Sequence, residues 1–358
     1  MSSTFEKCLL RAKPYSSTSD PGVLSLMMTS LSRDLAISIV SLNRPDLVEQ
    51  CLASIEAVPT SAGYEVHVVA HNFDPGALAA LGKRHPSVIV HRVAGIRGYS
   101  QNNNVALKAA RSRNVAILND DTILRDDLFG RLVRFLDRNP DVAAVCPVLR
   151  NLDGSLQVGF RGRFTPLAFI AQQLRLDRLV PVRWAVRLGA FDRPWLPEGR
   201  SDPVDIQAGT GACFVAKREA FETIGFLDED YFLGPDDIDW TVRLRRLGRV
   251  VLLPDASLTH LGSATLSQTY HAVLPTIYAG CYTFFRRHYG RTAEWAIRLA
   301  LGCVWSSMLS VGWAVSALVR NSRQARMMKT ARWNCVRFAF SQASSRDVFE
   351  RVMAQGGS

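Results

Sequence analysis

Between residues 35 and 148 the chain alternates short apolar runs with segments whose apolar residues recur every three or four positions. The runs at 35–41, 64–70, 88–93, 114–118 and 142–148 have the length and β-rich character of strands. Between them, Pro45 opens a segment carrying Leu47, Cys51, Leu52 and Ile55 at helical spacing, and the pattern predicts further helices over 75–83, 100–110 and 126–137. This alternation predicts an α/β fold with a mostly parallel central sheet and helices on both faces. Residues 150–205 lose periodicity and carry Phe160, Arg161, Arg163, Trp184, Arg187 and Trp195 among several prolines, a length of irregular chain that points to function rather than filler. Order returns with a strand at 211–216, a helix at 218–224, a helix running from Pro235 to a stop at Gly248, and a strand at 250–253.

One segment stands apart. Residues 299–319 hold no charge, and as a helix they would measure about 31 Å, long enough to cross a bilayer. Arg286, Arg287, Arg291 and Arg298 precede the run, while Arg320, Arg323, Arg326, Lys329, Arg332 and Arg337 follow it. Positive flanks on both sides give no inside–outside asymmetry, so an in-plane or re-entrant helix, or a hairpin with 330–345, fits better than a simple crossing. Ser306, Ser307, Ser310 and Ser316 suit a buried core helix instead.

Charge sharpens that picture. The 358 residues are 47% hydrophobic and 21% charged, with a formal net charge of +11. Twelve Arg or Lys against three acids lie from residue 280 onward, which leaves the first 279 residues nearly neutral. A nucleic-acid binder needs its basic stripe on the folded domain; a basic, apolar C-terminal segment suits an anionic membrane surface. The seven cysteines are scattered without C-x-x-C spacing, which points to reduced thiols rather than a zinc site or disulfide framework. Residues 1–33 read as a Ser- and Thr-rich tail, with an apolar stretch at 23–28 too short for a signal-peptide core.

Two acidic motifs carry the candidate chemistry. Asn119-Asp120-Asp121 ends a buried strand, and in open α/β sheets ligands bind beyond such carboxyl ends. A hard cation held there by Asp121 would neutralise a departing phosphate, with Asn119 placed for a ribose contact. An Asp/Asn turn explains the triplet equally well. Asp236 and Asp237 open a helix, where the helix dipole favours acids, and a carboxylate in a cleft at that position can also take a proton from an attacking hydroxyl. His260, after the last strand, suits either a ligand or a hydrogen-bonded core residue.

These motifs occur in a fixed order. Asn43-Arg44-Pro45, Gly98-Tyr99-Ser100 with Asn103-Asn104, Asn119-Asp120-Asp121 and Gly211-Ala212 before Lys217-Arg218-Glu219-Ala220-Phe221 come first. Gly225-Phe226-Leu227-Asp228-Glu229, Phe232 to Arg243, and His260-Leu261-Gly262-Ser263 follow. The series resembles the family 2 glycosyltransferases, inverting enzymes of GT-A fold that use nucleotide sugars, and within them the rhamnosyltransferase branch of bacterial surface polysaccharide synthesis. The resemblance covers roughly residues 34 to 290. It implies a nucleotide-binding half at 34–125 and an acceptor half at 126–290; the apolar run and its arginines mark 291–358 as membrane-associating helices.

The resemblance also implies roles. Asp121 is a metal ligand beneath the diphosphate, joined by His260, with Mg²⁺ or Mn²⁺ as the cation. Asp237 is the catalytic base. Ser41, Asn43, Arg44, His71, Asn72, Gly98, Tyr99, Asn103, Asn119, Asp120, Gly211 and Ala212 surround the donor, and Asp236 and Trp240 contact the acceptor. The acceptor is a glycan or a polyprenyl-diphosphate-linked sugar, gripped by the Arg and aromatic residues of 160–200. The expected location is the cytoplasmic face of the cell membrane, with no nucleic-acid partner. Three positions depart from the pattern: Ala70-His71-Asn72 stand where an aspartate contacts the nucleobase, Ile96 replaces an asparagine two before Gly98, and the acidic triplet begins with Asn119. A sugar-phosphate nucleotidyltransferase would need a Gly-rich loop after the first strand, which Ser41-Leu42-Asn43-Arg44-Pro45 lacks. A degenerate homologue would have lost Asp121 and Asp237.

Overall fold

The computed structural model describes residues 33–157, 159–181, 201–262, 270–316 and 323–356. Strand β1, Leu35–Leu42, is buried along all but its last residue. It leads into helix α1, Pro45–Ala57, whose first turn takes Pro without losing a hydrogen bond. Strand β2 (Tyr64–His71), helix α2 (Pro75–Arg84, capped by Asp74 Oδ1 accepting from Ala77 N at 2.8 Å), strand β3 (Ile89–Val93), helix α3 (Tyr99–Ala109) and strand β4 (Asn114–Asn119) complete a parallel half. The observed elements follow the predicted spans closely, because each spacing signal is local.

The second half begins with β5 (Thr122–Ile123), helix α4 (Leu128–Arg138, capped by Asp127) and β6 (Val142–Arg150). Through the stretch that lost periodicity run the short strand β7 (Phe160–Arg161), helix α5 (Pro166–Gln173), a 3₁₀ turn at Leu176–Leu179, and β8 (Val204–Asp205) and β9 (Ala208–Gly209). Trp184, Arg187 and Trp195 lie outside the described residues. Strand β10 (Cys213–Lys217), helix α6 (Arg218–Ile224), helix α7 (Asp236–Leu244) and the long β11 (Arg249–His260) follow.

The main sheet has nine strands, in order β3-β2-β1-β4-β10-β6-β11-β5, with β8 paired to β11. β10 runs antiparallel to both β4 and β6, and the short β5 and β8 run antiparallel to β11, whereas β6 and β11 pair in parallel, so six of the nine strands share one direction. Side-chain alternation divides the core. Ala116 and Leu118 of β4 face a cluster with Val48, Leu52 and Ile55 of α1 and Leu132 of α4. Val115 and Ile117 face the opposite cluster, with Leu107 of α3, Phe221 of α6 and Trp240 of α7. Covering helices on both faces explain why the strands read as continuous apolar runs.

The C-terminal helices form a separate layer: α8 (Tyr270–Tyr289), α9 (Arg291–Ser316), α10 (Arg323–Ala339) and α11 (Ser345–Gly356). Phe284, Phe285, Ile297, Leu301, Trp305 and Cys335 from three of them share one core with Phe169 of α5. Gly280 of α8 comes so close to Gly234 that a Cβ would lie 2.0 Å from the Gly234 carbonyl oxygen.

This layer decides among the alternatives for the described part of 299–319. Among the described residues no helix is long and apolar enough to cross a membrane. α9 instead buries one stripe against α8 and α10, the hairpin alternative, and turns Leu299, Cys303, Ser306 and Ser307 outward. Residues 317–319 lie outside the described residues. Arg298, expected as a membrane-flanking charge, is buried: its guanidinium donates to Glu294, to the Ala339 and Ser341 carbonyls, and packs 4.1 Å over the Tyr282 ring. Arg287 likewise pairs with Asp228 and Asp230. Part of the C-terminal charge therefore fastens these helices to one another and to the loop before α7. The six described cysteines are free thiols, as expected.

Candidate functional site

The carboxyl ends of β1, β2 and β4 open onto a cleft of about 560 Å³. Its walls include Leu42, Asn43, His71, Asn72, Tyr99, Asn119, Asp120, Asp121 and His260, together with Ile96, Arg97, Phe232, Leu233, Val273 and Phe349. Local backbone geometry explains two of the asparagines. Asn43 and Asn72 adopt φ of 51° and 58°, a left-handed conformation that Asn tolerates better than most residues, so each turns the chain sharply at the end of its strand. At the neighbouring loop, a Cβ on Gly98 would stand 2.5 Å from the Phe232 carbonyl, which accepts from Tyr99 N at 3.0 Å. Only glycine lets these two segments meet.

At one end of the cleft Asp121 and His260 face each other, with Asp121 Oδ1 3.1 Å from His260 Nε2. The Gln157 amide fixes the imidazole. Gln157 Nε2 donates to Asn151 Oδ1 and to the His260 carbonyl, so Gln157 Oε1 is turned to accept from His260 Nδ1–H at 2.7 Å. On the other side the Asn119 amide lies 3.3 Å from both the Tyr99 hydroxyl and His260 Nε2. With Nδ1 held by Gln157, Nε2 is the His260 nitrogen turned toward the Asp121 carboxylate. A ring oriented through its far nitrogen is the usual support of a metal-ligating histidine. The pair fits a divalent cation that takes its remaining ligands from a diphosphate and water. Among the described residues there is no group of three or more His, Cys, Asp or Glu side chains able to hold a metal by themselves. Beside the pair, burial pushes the Asp120 carboxyl up to about 6, the charge of Asp121 adds to the rise, and a hydrogen bond from Ser41 opposes it.

Asp237 stands behind the turn at Gly211. Its Oδ2 accepts from Gly211 N at 2.9 Å, and the Gly211 carbonyl accepts from the Tyr99 hydroxyl at 2.8 Å. The next carbonyl, of Ala212, accepts from Asn119 N at 2.9 Å. One turn of chain thus ties the acidic helix to both the cleft wall and the strand that carries Asp121. Burial pushes the Tyr99 hydroxyl well above its ordinary range, with Asp236 and Asp237 adding to the shift, so it stays a donor.

Several expected contacts fall elsewhere. Trp240 is 0% exposed and stacks against Phe214 and Phe221, its indole N–H donating to the Gly225 carbonyl, so it is a core anchor and not an acceptor contact. Asp236 shares that buried face one turn earlier and accepts from Ser100 Oγ at 2.9 Å; burial and the charge of Asp237 push its carboxyl up. The reason is helical spacing: positions 236, 240 and 244 lie on one face, and α7 sets that face against the sheet. Asn103 is enclosed, accepting from Ser38 and donating to the Tyr99 carbonyl. Arg44 turns to Asp46, and Ser41 is buried beneath Asp120, so neither lines the cleft. Gln157, Arg97 and Phe349 were not expected as site residues, and no local motif announces them; Phe232, also not expected there, opens one of the motifs of the series.

Residues 33–274 match the model of the family described as glycosyltransferase like family 2. A 199-residue stretch is 25% identical to N-acetylglucosaminyl-diphospho-decaprenol L-rhamnosyltransferase of Mycobacterium tuberculosis, covering 52% of this chain and 61% of that protein. Another, of 170 residues, is 34% identical to the uncharacterized protein y4gI of Sinorhizobium fredii, covering 47% of this chain and 17% of that one. The chain thus matches less than two thirds of the length of either relative. Among solved structures, the mannosyltransferase from Pyrobaculum calidifontis in complex with GDP-Man and Mn²⁺ is similar at a TM-score of 0.47 and 17% identity, over 93% of this chain and 90% of that one. The family match alone extends over well more than half of the sequence and includes every acidic residue of the cleft and of α7, so the protein belongs to the glycosyltransferase family 2-like family.

Proposed function

We propose that the protein is an inverting glycosyltransferase that moves a sugar, rhamnose by analogy with the mycobacterial relative, from a nucleotide donor to a hydroxyl of a glycan or polyprenyl-diphosphate-linked acceptor. Bacterial surface polysaccharide synthesis is the setting this implies. The observation that carries the reading is the Asp121–His260 pair in the strand-end cleft, joined through Asn119, Tyr99 and Gly211 to Asp237. In this reading residues 34–125 bind the donor and 126–290 receive the acceptor. Asp121 and His260 hold Mg²⁺ or Mn²⁺, which supplies charge neutralisation for the departing diphosphate. Asp237 takes the acceptor's hydroxyl proton as the oxygen attacks the anomeric carbon from the face opposite the leaving group, and a single displacement of that kind inverts the configuration.

A donor panel assayed for nucleoside diphosphate release, with and without Mn²⁺ or Mg²⁺, tests this directly. Activity is expected to disappear in excess chelator and to return with the metal, and Asp121→Ala is expected to abolish it while circular dichroism stays unchanged. Full turnover in chelator would remove the metal's role.

A lipid-linked acceptor needs the enzyme at a membrane surface. Leu299, Trp333 and Phe340, on or just after the C-terminal helices, are 59%, 55% and 54% exposed, and Trp295 precedes Leu299 by one turn. The exposed arginines Arg286, Arg291 and Arg337 lie on the same helices. Exposed apolar side chains and exposed arginines on one set of helices suit an anionic interface. Deleting residues 299–358 would strip Leu301, Trp305 and Cys335 from the core, so side-chain substitution is the cleaner test. Combined Leu299→Gln, Trp333→Gln and Phe340→Gln is expected to lower sedimentation with phosphatidylglycerol vesicles at least about tenfold, since each large apolar side chain gains about 1.5–3 kcal/mol on full burial. Unchanged sedimentation would move the contact to another surface.

A further inference from the structure

The family match ends at residue 274, yet helix α11, some seventy residues later, closes one side of the cleft through Phe349. Its attachment is specific. Ser345 Oγ accepts from Phe232 N at 2.9 Å and donates to the Asp230 carbonyl at 3.1 Å. Arg346 Nη2 donates to the Ile96 carbonyl at 3.3 Å, and its Nε donates to Glu350 at 2.8 Å. Val348 and Val352 are buried with Ala272, Ala279 and Phe338. The Phe349 ring rests on Phe232 at a centroid distance of 4.8 Å and an angle of 34°. The helix is thus fixed at both its polar start and its apolar face, and it presents one aromatic ring to the cleft.

Across from that ring, the polar side chains that replace the expected base-reading aspartate are already occupied. Asn102 Oδ1 accepts from Arg97 Nε, which turns Asn102 Nδ2 toward His71 Nδ1 at 3.1 Å, and His71 Nε2–H donates to the Gly95 carbonyl at 2.7 Å. Asn72 Oδ1 accepts from Gly95 N at 3.0 Å, and Asn72 Nδ2 faces the Gly95 carbonyl at 3.3 Å. These groups brace the 95–98 loop rather than offering free hydrogen bonds. Beside these groups the Phe349 and Phe232 rings give the cleft its flat apolar surface.

We propose that the C-terminal helix, through Phe349, supplies the stacking platform for the donor's nucleobase. This rests on the nucleotide-sugar reading above and assigns to a segment beyond the family match a part of donor recognition. Every base has a π face, so recognition by stacking is tolerant of base identity. UDP, dTDP and GDP are therefore expected to bind within about tenfold of one another, a spread of about 1.4 kcal/mol.

Isothermal titration of the full chain with these three nucleotides in Mn²⁺ tests it, using Phe349→Leu, Phe349→Trp and Met353→Ala. Leucine keeps the apolar volume against Phe232 but has no π face. Phe349→Leu is expected to weaken all three nucleotides by about 5- to 160-fold, the range of base–aromatic stacking, at unchanged melting temperature. Phe349→Trp is expected to restore the affinity, and Met353→Ala, exposed on the same helix, to leave it alone. Equal affinity in Phe349→Leu and the parent overturns the proposal, as does an equal loss in Met353→Ala, which would reduce the helix to a packing role. A parent chain that binds none of the three nucleotides removes the nucleotide-sugar reading itself, a result distinct from either.

Discussion

Replacing Asp237 by Asn is expected to lower turnover by about 10²–10⁴-fold while leaving the fold and nucleoside diphosphate affinity in place. The carboxylate is well anchored: Oδ2 accepts from Gly211 N at 2.9 Å and Oδ1 from Ile238 N at 2.8 Å. An amide keeps one acceptor oxygen, so the turn at Gly211 can persist, but it cannot take the acceptor's proton. Asp236→Asn provides the contrast. Its carboxyl is enclosed against Ser100 and is pushed up by burial and by the charge on Asp237, so its loss is expected to touch turnover far less. The measurements are steady-state rate, nucleotide affinity and melting temperature on both variants. If Asp237→Asn turns over as fast as the parent, the base assignment fails and the proposed chemistry loses its proton acceptor.

Asp239→Ala is expected to act on stability instead, by about 3–5 kcal/mol, the usual consequence of removing one partner from a buried ion pair. Asp239 is almost fully enclosed. Its Oδ2 accepts from Arg243 Nε at 2.8 Å, and its Oδ1 accepts from His288 Nε2 at 2.7 Å and from the Tyr231 hydroxyl at 3.2 Å. Arg243 also donates to the Ile224 and Phe226 carbonyls. Without Asp239 that guanidinium keeps its carbonyl partners but loses its counter-charge. α7 and α8 would lose the polar contact that joins them.

The pH dependence has a definite sign. Burial works to raise the Asp239 carboxyl, but the hydrogen bond from His288 and the Arg243 guanidinium outweigh it and hold the group below its ordinary 3.8. A depressed carboxyl contributes its full stability above the ordinary value and loses it as the pH falls through the lowered one. Urea unfolding of the parent should therefore show an acid limb below 3.8 that is reduced in Asp239→Ala, with turnover per folded molecule nearly unchanged near neutral pH. An unchanged urea midpoint near neutrality would show that the pair carries no net stability.

The sequence by itself determined the secondary elements of the parallel half and the chemical triplet. Period-two burial in β4, with Val115 and Ile117 on one face and Ala116 and Leu118 on the other, is written in adjacent residues, as is the helical spacing of Leu47, Cys51, Leu52 and Ile55. Asn119-Asp120-Asp121 at the end of a parallel strand had to emerge at the sheet's carboxyl edge, because strand direction fixes that edge. Such signals are local, and local geometry preserves them.

Tertiary structure decided the rest. The sequence shows that 236, 240 and 244 share a helical face, but only the docking of α7 on the sheet made it the buried one, which removed Trp240 and Asp236 from the acceptor side. Arg298 reads as a flanking charge until α8 and α10 enclose it with Glu294 and two carbonyls. Gln157 orients His260 from 103 residues away, and Arg346 reaches Ile96 across 250. Periodicity reports which residues prefer burial together. It does not report which distant surface arrives to cover them, and that arrival fixed the imidazole and brought Phe349 to the cleft.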